Sequence, residues 1–253
     1  SKILHTNIWS SELAKLTANA FLAQRISSIN SISALCESTG ADVREVARAI
    51  GTDTRIGSKF LDSGPGFGGS CFKKDILNLV YLAKFYGLDQ VANFWESVVD
   101  MNDWHQSRIS QLIIKKLFGT LSGKKIAILG FAFKSNTNDT RDSAAIKICK
   151  DLLEEGAELY IHDPKVNSEQ IAKDLNLDPI SISQEDFISL KSEDESIWRR
   201  ANTIQSAIDD ADAVLILTEW EEYKYIDWDK AFQKMRKPAW VFDSRSIINP
   251  KEV

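Results

Sequence analysis

The stretch Gly64-Pro65-Gly66-Phe67-Gly68-Gly69-Ser70-Cys71-Phe72-Lys73-Lys74-Asp75 restricts this chain more than any other. Four glycines and a proline in six positions fit neither helix nor strand. Such a loop lets the backbone take positive φ and lets a ligand come close. Ser70 suits a helix N-cap, and Asp75-Ile76-Leu77-Asn78-Leu79-Val80-Tyr81-Leu82 has a helical pattern, so Cys71 is expected at a helix N-terminus. Free N–H groups and the helix dipole favour negative charge there. Lys73 and Lys74 lie close by, and Asp75, four residues on, shares a helix face with the sulfur. A thiol, an open loop and an adjacent carboxylate make a nucleophile site. The competing reading is a buried structural cysteine after a turn.

Around this loop the chain divides into two domains. Residues 1–119 show helical spacing and no convincing strand, so an all-α domain is expected there. Its first helix opens near Ser10-Ser11-Glu12, runs about twenty-five residues without glycine or proline, and ends at Thr39-Gly40. Its apolar stripe from Leu13 to Leu35 is too long to bury within a small helical domain, which predicts pairing of two chains. Lys15 and Asn19 share a face of this helix, and Cys36 falls in the apolar stripe as a core residue. Asp42 and Glu45 read as a capping-box start for a second helix, and residues 90–117 as another.

Residues 120–253 change pattern. Strands are expected at 124–130, 158–164, 213–218 and 240–243, with helices at 142–153, 202–208 and 227–235 between them. That alternation implies a parallel, doubly wound, Rossmann-like sheet, with ligands at the carboxyl ends of the strands. Residues 181–200 read as a charged, irregular excursion. No Gly-x-Gly-x-x-Gly follows the first strand. Asp163 ends the second strand, where a dinucleotide fold keeps its ribose acid, although acids also end strands as turn residues. Lys134 and Arg141 suit phosphate pairing or are plain surface cations, and Arg245 follows the fourth strand.

A net charge of −5 with interspersed signs leaves no nucleic-acid or anionic-membrane footprint. No apolar run reaches the roughly 18 residues of a membrane span. Three cysteines without metal spacing suggest a reduced, cytoplasmic setting, and three scattered histidines argue against zinc. The start, Ser1-Lys2-Ile3-Leu4-His5, is no signal peptide, and a processed end or a cut through a longer protein is expected.

Gly66-Phe67-Gly68-Gly69-Ser70-Cys71-Phe72-Lys73-Lys74-Asp75 resembles the nucleophile loop of the nucleotide-sugar dehydrogenase family, and within it that of UDP-glucose 6-dehydrogenases. So do Ser11 to Leu16, Ala20 to Arg25, Arg55 to Leu61, Leu129 to Lys134 and Phe242 to Arg245, in family order. The resemblance implies NAD-dependent, two-step, four-electron oxidation of UDP-glucose to UDP-glucuronate. Cys71 would attack an aldehyde and form a thioester after a second hydride transfer, and water would release the acid. It implies that Asp75 acts as base or water-positioner and that Lys15 and Asn19 stabilise oxyanions. It assigns substrate contacts to Phe60, Phe67, Gly68, Phe133, Lys134 and Arg245, and to Arg55 reaching a neighbouring subunit. It assigns NAD contacts to Lys74 and Arg141. The partners implied are UDP-glucose, NAD and a second copy of the chain, as a dimer or higher oligomer. The family's NAD-binding domain, about two hundred residues and larger than the usual domain, is expected to be missing, leaving this chain inactive alone. A non-catalytic UDP-sugar-binding or pairing fragment, or a dehydrogenase of another nucleotide sugar, are the alternatives.

Overall fold

The computed structural model describes residues 3–179 and 197–249. The chain divides into two units, Ser1–His105 and Gln106–Val253.

Unit 1 is helical. Helix α1, Ile8–Thr39, has 32 residues, longer than the sequence pattern suggested. The extra turn comes from Asn7, whose side chain accepts from Ser10 N at 2.7 Å and caps the helix ahead of the expected start. Gly40, in the left-handed conformation at φ 78°, ends it. Helices α2 (Val43–Gly51, capped by Asp42) and α3 (Phe72–Phe85) follow, then α4 (Asp89–Lys116), whose last turns belong to unit 2. The core of unit 1 joins Ala20 and Ala23 of α1 to Ile76, Val80 and Ala83 of α3 and Ala92, Val98 and Val99 of α4. Small alanines on α1 let α3 approach closely. The buried face of α1 is therefore Ala20, Ala23, Ser27, Ile29, Asn30, Ser33 and Cys36. Leu13, Phe21, Ile32 and Leu35 point outward, so of the large residues in the expected stripe Ile29 is buried while these four are not.

Unit 2 is a five-stranded parallel sheet in the order β3-β2-β1-β4-β5. The strands are β1 (Lys125–Leu129), β2 (Glu158–His162), β3 (Ile197–Arg200), β4 (Ala213–Ile216) and β5 (Trp240–Asp243). Between them lie α5 (Ala144–Glu154), α6 (Ser168–Leu175), α7 (Ile204–Ile208), a 3-10 turn at Glu221–Tyr225 and α8 (Trp228–Lys234). Strands β1 and β4 are buried throughout, as central strands of a two-sided parallel sheet must be. Each fully buried Ile or Leu there contributes roughly 1.5–3 kcal/mol. Strand β3 corrects the expected irregular excursion at its end: Trp198 is fully buried and its indole donates to Leu177 O at 2.8 Å. The rest of that excursion, 181–196, lies outside the described residues. Helix α6 also went unread. The chain leaves β1 towards β2 and β4 towards β5, so the strand order reverses between β1 and β4, the position at which sheets of this kind bind ligands.

Candidate active site

Cys71 occupies the N-cap position of α3, with φ −104° and ψ −49°, and its thiol is exposed. Ser70 does not cap the helix as its sequence position suggested. The cap residue is Cys71 itself, in helical backbone geometry and without a side-chain cap bond. Ser70 Oγ instead lies 3.7 Å from Cys71 Sγ. The first turn closes through Asp75 N donating to Cys71 O at 2.9 Å, which places the carboxylate one turn below the sulfur.

Asp75 is 1% exposed. Lys15 Nζ donates to its two oxygens at 2.8 and 2.6 Å, and Asn19 Nδ2 to Oδ2 at 2.5 Å. Burial pushes the Asp75 carboxyl up, but the bonds from Lys15 and Asn19 outweigh it and hold the group below its ordinary value. The hydrogen bond to Asp75 raises Lys15, and the Cys71 sulfur adds to that rise. Three of the expected catalytic side chains thus form one connected group, with Cys71 on the same helix as Asp75. Lys73 is drawn away to Asp103, 3.2 Å distant. Lys74 is exposed.

The loop before Cys71 is held by buried side chains that sequence reading missed. Asn102 Oδ1 accepts from Phe67 N at 2.8 Å and its Nδ2 donates to Phe67 O at 3.3 Å. Asn30 Oδ1 accepts from Gly64 N at 2.9 Å, and His105 Nε2 lies 3.0 Å from Gly64 O. A buried loop must satisfy its backbone somewhere, and here helix side chains do so. A polar residue on an otherwise apolar helix face was the available signal. The Phe67 ring packs in the core, edge-on to Phe72, and Gly68 is half-buried beside it. Arg25 holds the preceding segment, donating to the carbonyls of Ile56, Gly57 and Lys59 at 2.8–3.0 Å. That segment carries Phe60, partly exposed at φ 60°, and Arg55, which is exposed and doubly bonded to Asp53.

In unit 2, Phe133, Lys134 and Arg245 come together at the β1/β4 edge. Arg245 Nη2 donates to Phe133 O at 3.1 Å and Nε to Leu217 O at 2.8 Å. Lys134 is exposed, its Nζ 5.3 Å above the Phe133 ring. Glu219, unread in the sequence, pairs with Arg245 at 3.1 Å and accepts from Ser135 N at 3.2 Å. The guanidinium retains N–H groups for an anion. Arg141 is exposed and forks onto Asp139. Among the described residues no group of three or more His, Cys, Asp or Glu is arranged to hold a metal, and no helix is long and apolar enough to cross a membrane.

Residues 9–104 match the UDP-glucose/GDP-mannose dehydrogenase family, central domain, and residues 127–250 match its UDP binding domain. The chain is 55% identical over 251 residues to UDP-glucose 6-dehydrogenase of Gallus gallus, covering 98% of this chain and 49% of that protein. It is 54% identical to that of Drosophila melanogaster, covering 98% and 50%. Among solved structures, a UDP-glucose dehydrogenase from Pyrobaculum islandicum superposes with TM-score 0.76 at 30% identity, covering 95% of this chain and 48% of that one. A UDP-D-ManNAc dehydrogenase from Pyrococcus horikoshii gives 0.75 at 25%, covering 99% and 51%. The chain therefore spans about half the length of these relatives. With two domain matches in sequence order, each over one structural unit's worth of chain, it belongs to the UDP-glucose/GDP-mannose dehydrogenase family.

Proposed function

We propose that this chain supplies the nucleophile and the nucleotide-holding residues of an NAD-dependent oxidation of UDP-glucose to UDP-glucuronate. The observation that carries the reading is the exposed Cys71 thiol one helical turn above Asp75, which Lys15 and Asn19 hold. The Cys71 sulfur adds to the C6 aldehyde carbon, and the carbonyl electron pair moves to oxygen, which takes up a proton. Lys15 and Asn19 are the donors for that oxygen, and Asp75 the base or water-positioner when the thioester is hydrolysed. On unit 2, Phe133, Lys134 and Arg245 hold the uridine diphosphate by stacking and charge-assisted hydrogen bonds. On unit 1, Phe60, the Phe67–Gly68 loop and, from a second copy, Arg55 are the residues the family resemblance assigns to the substrate. Outward Leu13, Phe21 and Leu35 on α1 support that pairing. Three free thiols support a reducing, cytoplasmic setting.

NAD, when bound, accepts the hydrides. Among the described residues, the loop after β1 makes no dinucleotide cradle. The main-chain N–H groups of Phe131 and Ala132, after β1, are already taken by Asp163. Lys74 and Arg141 are single contacts to a cofactor held mainly elsewhere. The same observation favours a second reading, a UDP-sugar-binding, pairing unit without catalysis. The similarity to a UDP-D-ManNAc dehydrogenase keeps another nucleotide sugar in view, and a substrate panel separates these.

The test uses the full-length enzyme that carries this chain, supplied with UDP-glucose and NAD. Trapping should give a UDP-glucuronoyl thioester, bonded through C6, on Cys71 by mass spectrometry, and Cys71→Ser should stop UDP-glucuronate formation. Wild-type turnover by Cys71→Ser would overturn the reading.

A further inference from the structure

Asp163 stands where a dinucleotide fold places the acid that binds ribose, yet here it is 1% exposed and turned into the protein. Its Oδ2 accepts from Phe131 N at 2.7 Å, Ala132 N at 3.0 Å and the Trp220 indole at 3.2 Å. Its Oδ1 accepts from Lys165 N and Val166 N, both at 2.9 Å. A carboxylate offers about four lone-pair sites, so these donors saturate it and leave nothing for a ribose hydroxyl.

The loop after β1 is pinned at each residue around this carboxylate. Gly130 N donates to His162 O, and a Cβ at Gly130 would fall 2.4 Å from Thr218. Phe131 O accepts from Ser143 Oγ at 2.8 Å, and Ala132 O from Thr218 Oγ1 at 2.6 Å. Phe133 N reaches Asp139 O at 3.1 Å, and Phe133 O takes Arg245. In a dinucleotide fold, the N–H groups after the first strand face a pyrophosphate.

We infer that Asp163 is a positioning residue: its carboxylate fills the place of an external anion under the β1 loop, closes that loop to a dinucleotide pyrophosphate, and fixes Phe133 and Lys134 where they hold the nucleotide. The inference rests on the nucleotide-holding role given to unit 2 above. It makes the domain's preference for a nucleoside diphosphate over a dinucleotide a consequence of one inward acid. Recognition passes from main-chain donors to side-chain cations.

Calorimetry on the full 253-residue chain tests it with UDP as probe. Asp163→Asn puts an NH2 group against main-chain donors, and UDP binding should weaken by about tenfold or more. Ile148→Ala, which removes core volume on α5 without touching these hydrogen bonds, should keep wild-type affinity when measured below its melting temperature. Amide exchange on the wild-type chain needs no variant. Phe131 and Ala132 should be slow to exchange without ligand and unchanged when UDP is added. Amides that slow only on adding UDP, or a folded Asp163→Asn with wild-type UDP affinity, would overturn the inference. Failure of the wild-type chain to bind UDP would overturn the nucleotide reading beneath it, and the inference with it.

Discussion

The Lys15 ammonium lies 2.6 Å from the Asp75 carboxylate, with the lysine side chain 61% exposed and the aspartate 2%. The pair spans α1 and α3, one end in solvent and the other sealed between the helices. A buried carboxylate is tolerated only when its oxygens are satisfied, and here an ammonium and the Asn19 amide do so. The two helices therefore share one register, and that register sets where Lys15 and Asn19 stand relative to the Cys71 turn.

Asp75→Asn should keep the fold, because an amide occupies the same volume. In the full-length enzyme kcat should fall by about 10²–10⁴, the range general acid–base groups supply. The KM for UDP-glucose should change much less, since the proposed nucleotide contacts lie on other residues. Steady-state kinetics decide it, and a kcat within twofold of wild type would remove Asp75 from the chemistry.

The same carboxylate makes a pH prediction with a definite sign. Its folded pKa is held below its ordinary value, with burial opposed by the Lys15 and Asn19 bonds. A depressed acid stabilises the fold above its unfolded pKa of about 3.9, and that contribution disappears as pH falls through the lower folded value. Urea unfolding across pH 6 to 3 should show wild type losing more stability than Asp75→Asn on the acid side. Parallel curves would mean the pair adds no net stability.

Alkylation separates the three cysteines. Cys71 is exposed, whereas Cys36 and Cys149 are buried, and burial pushes the Cys149 thiol well up. Iodoacetamide on the native chain should modify Cys71 alone, with the other two labelled only in denaturant. Peptide mapping reads this directly. Cys36→Ala and Cys149→Ala should cost stability, about 1 kcal/mol each, and leave turnover intact.

What could be read from sequence followed from spacing along one element. Cys71 and Asp75 sit four apart on one helix, as do Lys15 and Asn19, so their shared faces needed no tertiary information. The β1, β2, β4 and β5 runs were apolar enough to announce themselves. Direction in space was not legible. Asp163 was correctly placed at a strand end, but whether its carboxylate turns out to a ligand or in to Phe131 and Ala132 depends on a loop 31 and 32 residues away in sequence. Strand β3 was missed because only Ile197 and Trp198 of its four residues are buried, and charged neighbours hid them. The partners of Asn30, Asn102 and Arg25 could not be read, because each acts on backbone groups of another segment.

Pairing of two chains is expected through α1. Phe21 is 54% exposed and Leu35 59%, on a helix whose buried face is built from small and polar residues. The Phe21 ring lies tilted at 47° against Trp95 of α4, with 5.6 Å between ring centroids, which extends the apolar surface. Light scattering at micromolar concentration should give twice the chain mass, and Phe21→Glu should weaken association by about tenfold or more, as loss of an aromatic anchor does. A monomeric wild type would leave Arg55, now paired with Asp53, without a neighbour's site to reach.

The 253-residue chain alone should bind UDP and oxidise nothing. The cations proposed to hold the nucleotide are in place: Lys134 is exposed beside Phe133, and Arg245 is braced by Leu217 O, Phe133 O and Glu219. A braced guanidinium loses little freedom on meeting a diphosphate, so calorimetry should register UDP and UDP-glucose. Hydride transfer has a stricter requirement. The acceptor ring must be held against C6, and that proximity is worth roughly 7–11 kcal/mol of barrier. The β1 loop spends its main-chain donors on Asp163, and Arg141 is engaged with Asp139, so neither can position a dinucleotide. With UDP-glucose and NAD present, absorbance of the reduced cofactor should stay flat, and NAD alone should give no heat. Steady formation of NADH by this chain would show that its residues hold the cofactor after all, and Lys74 and Arg141 would be the first to substitute.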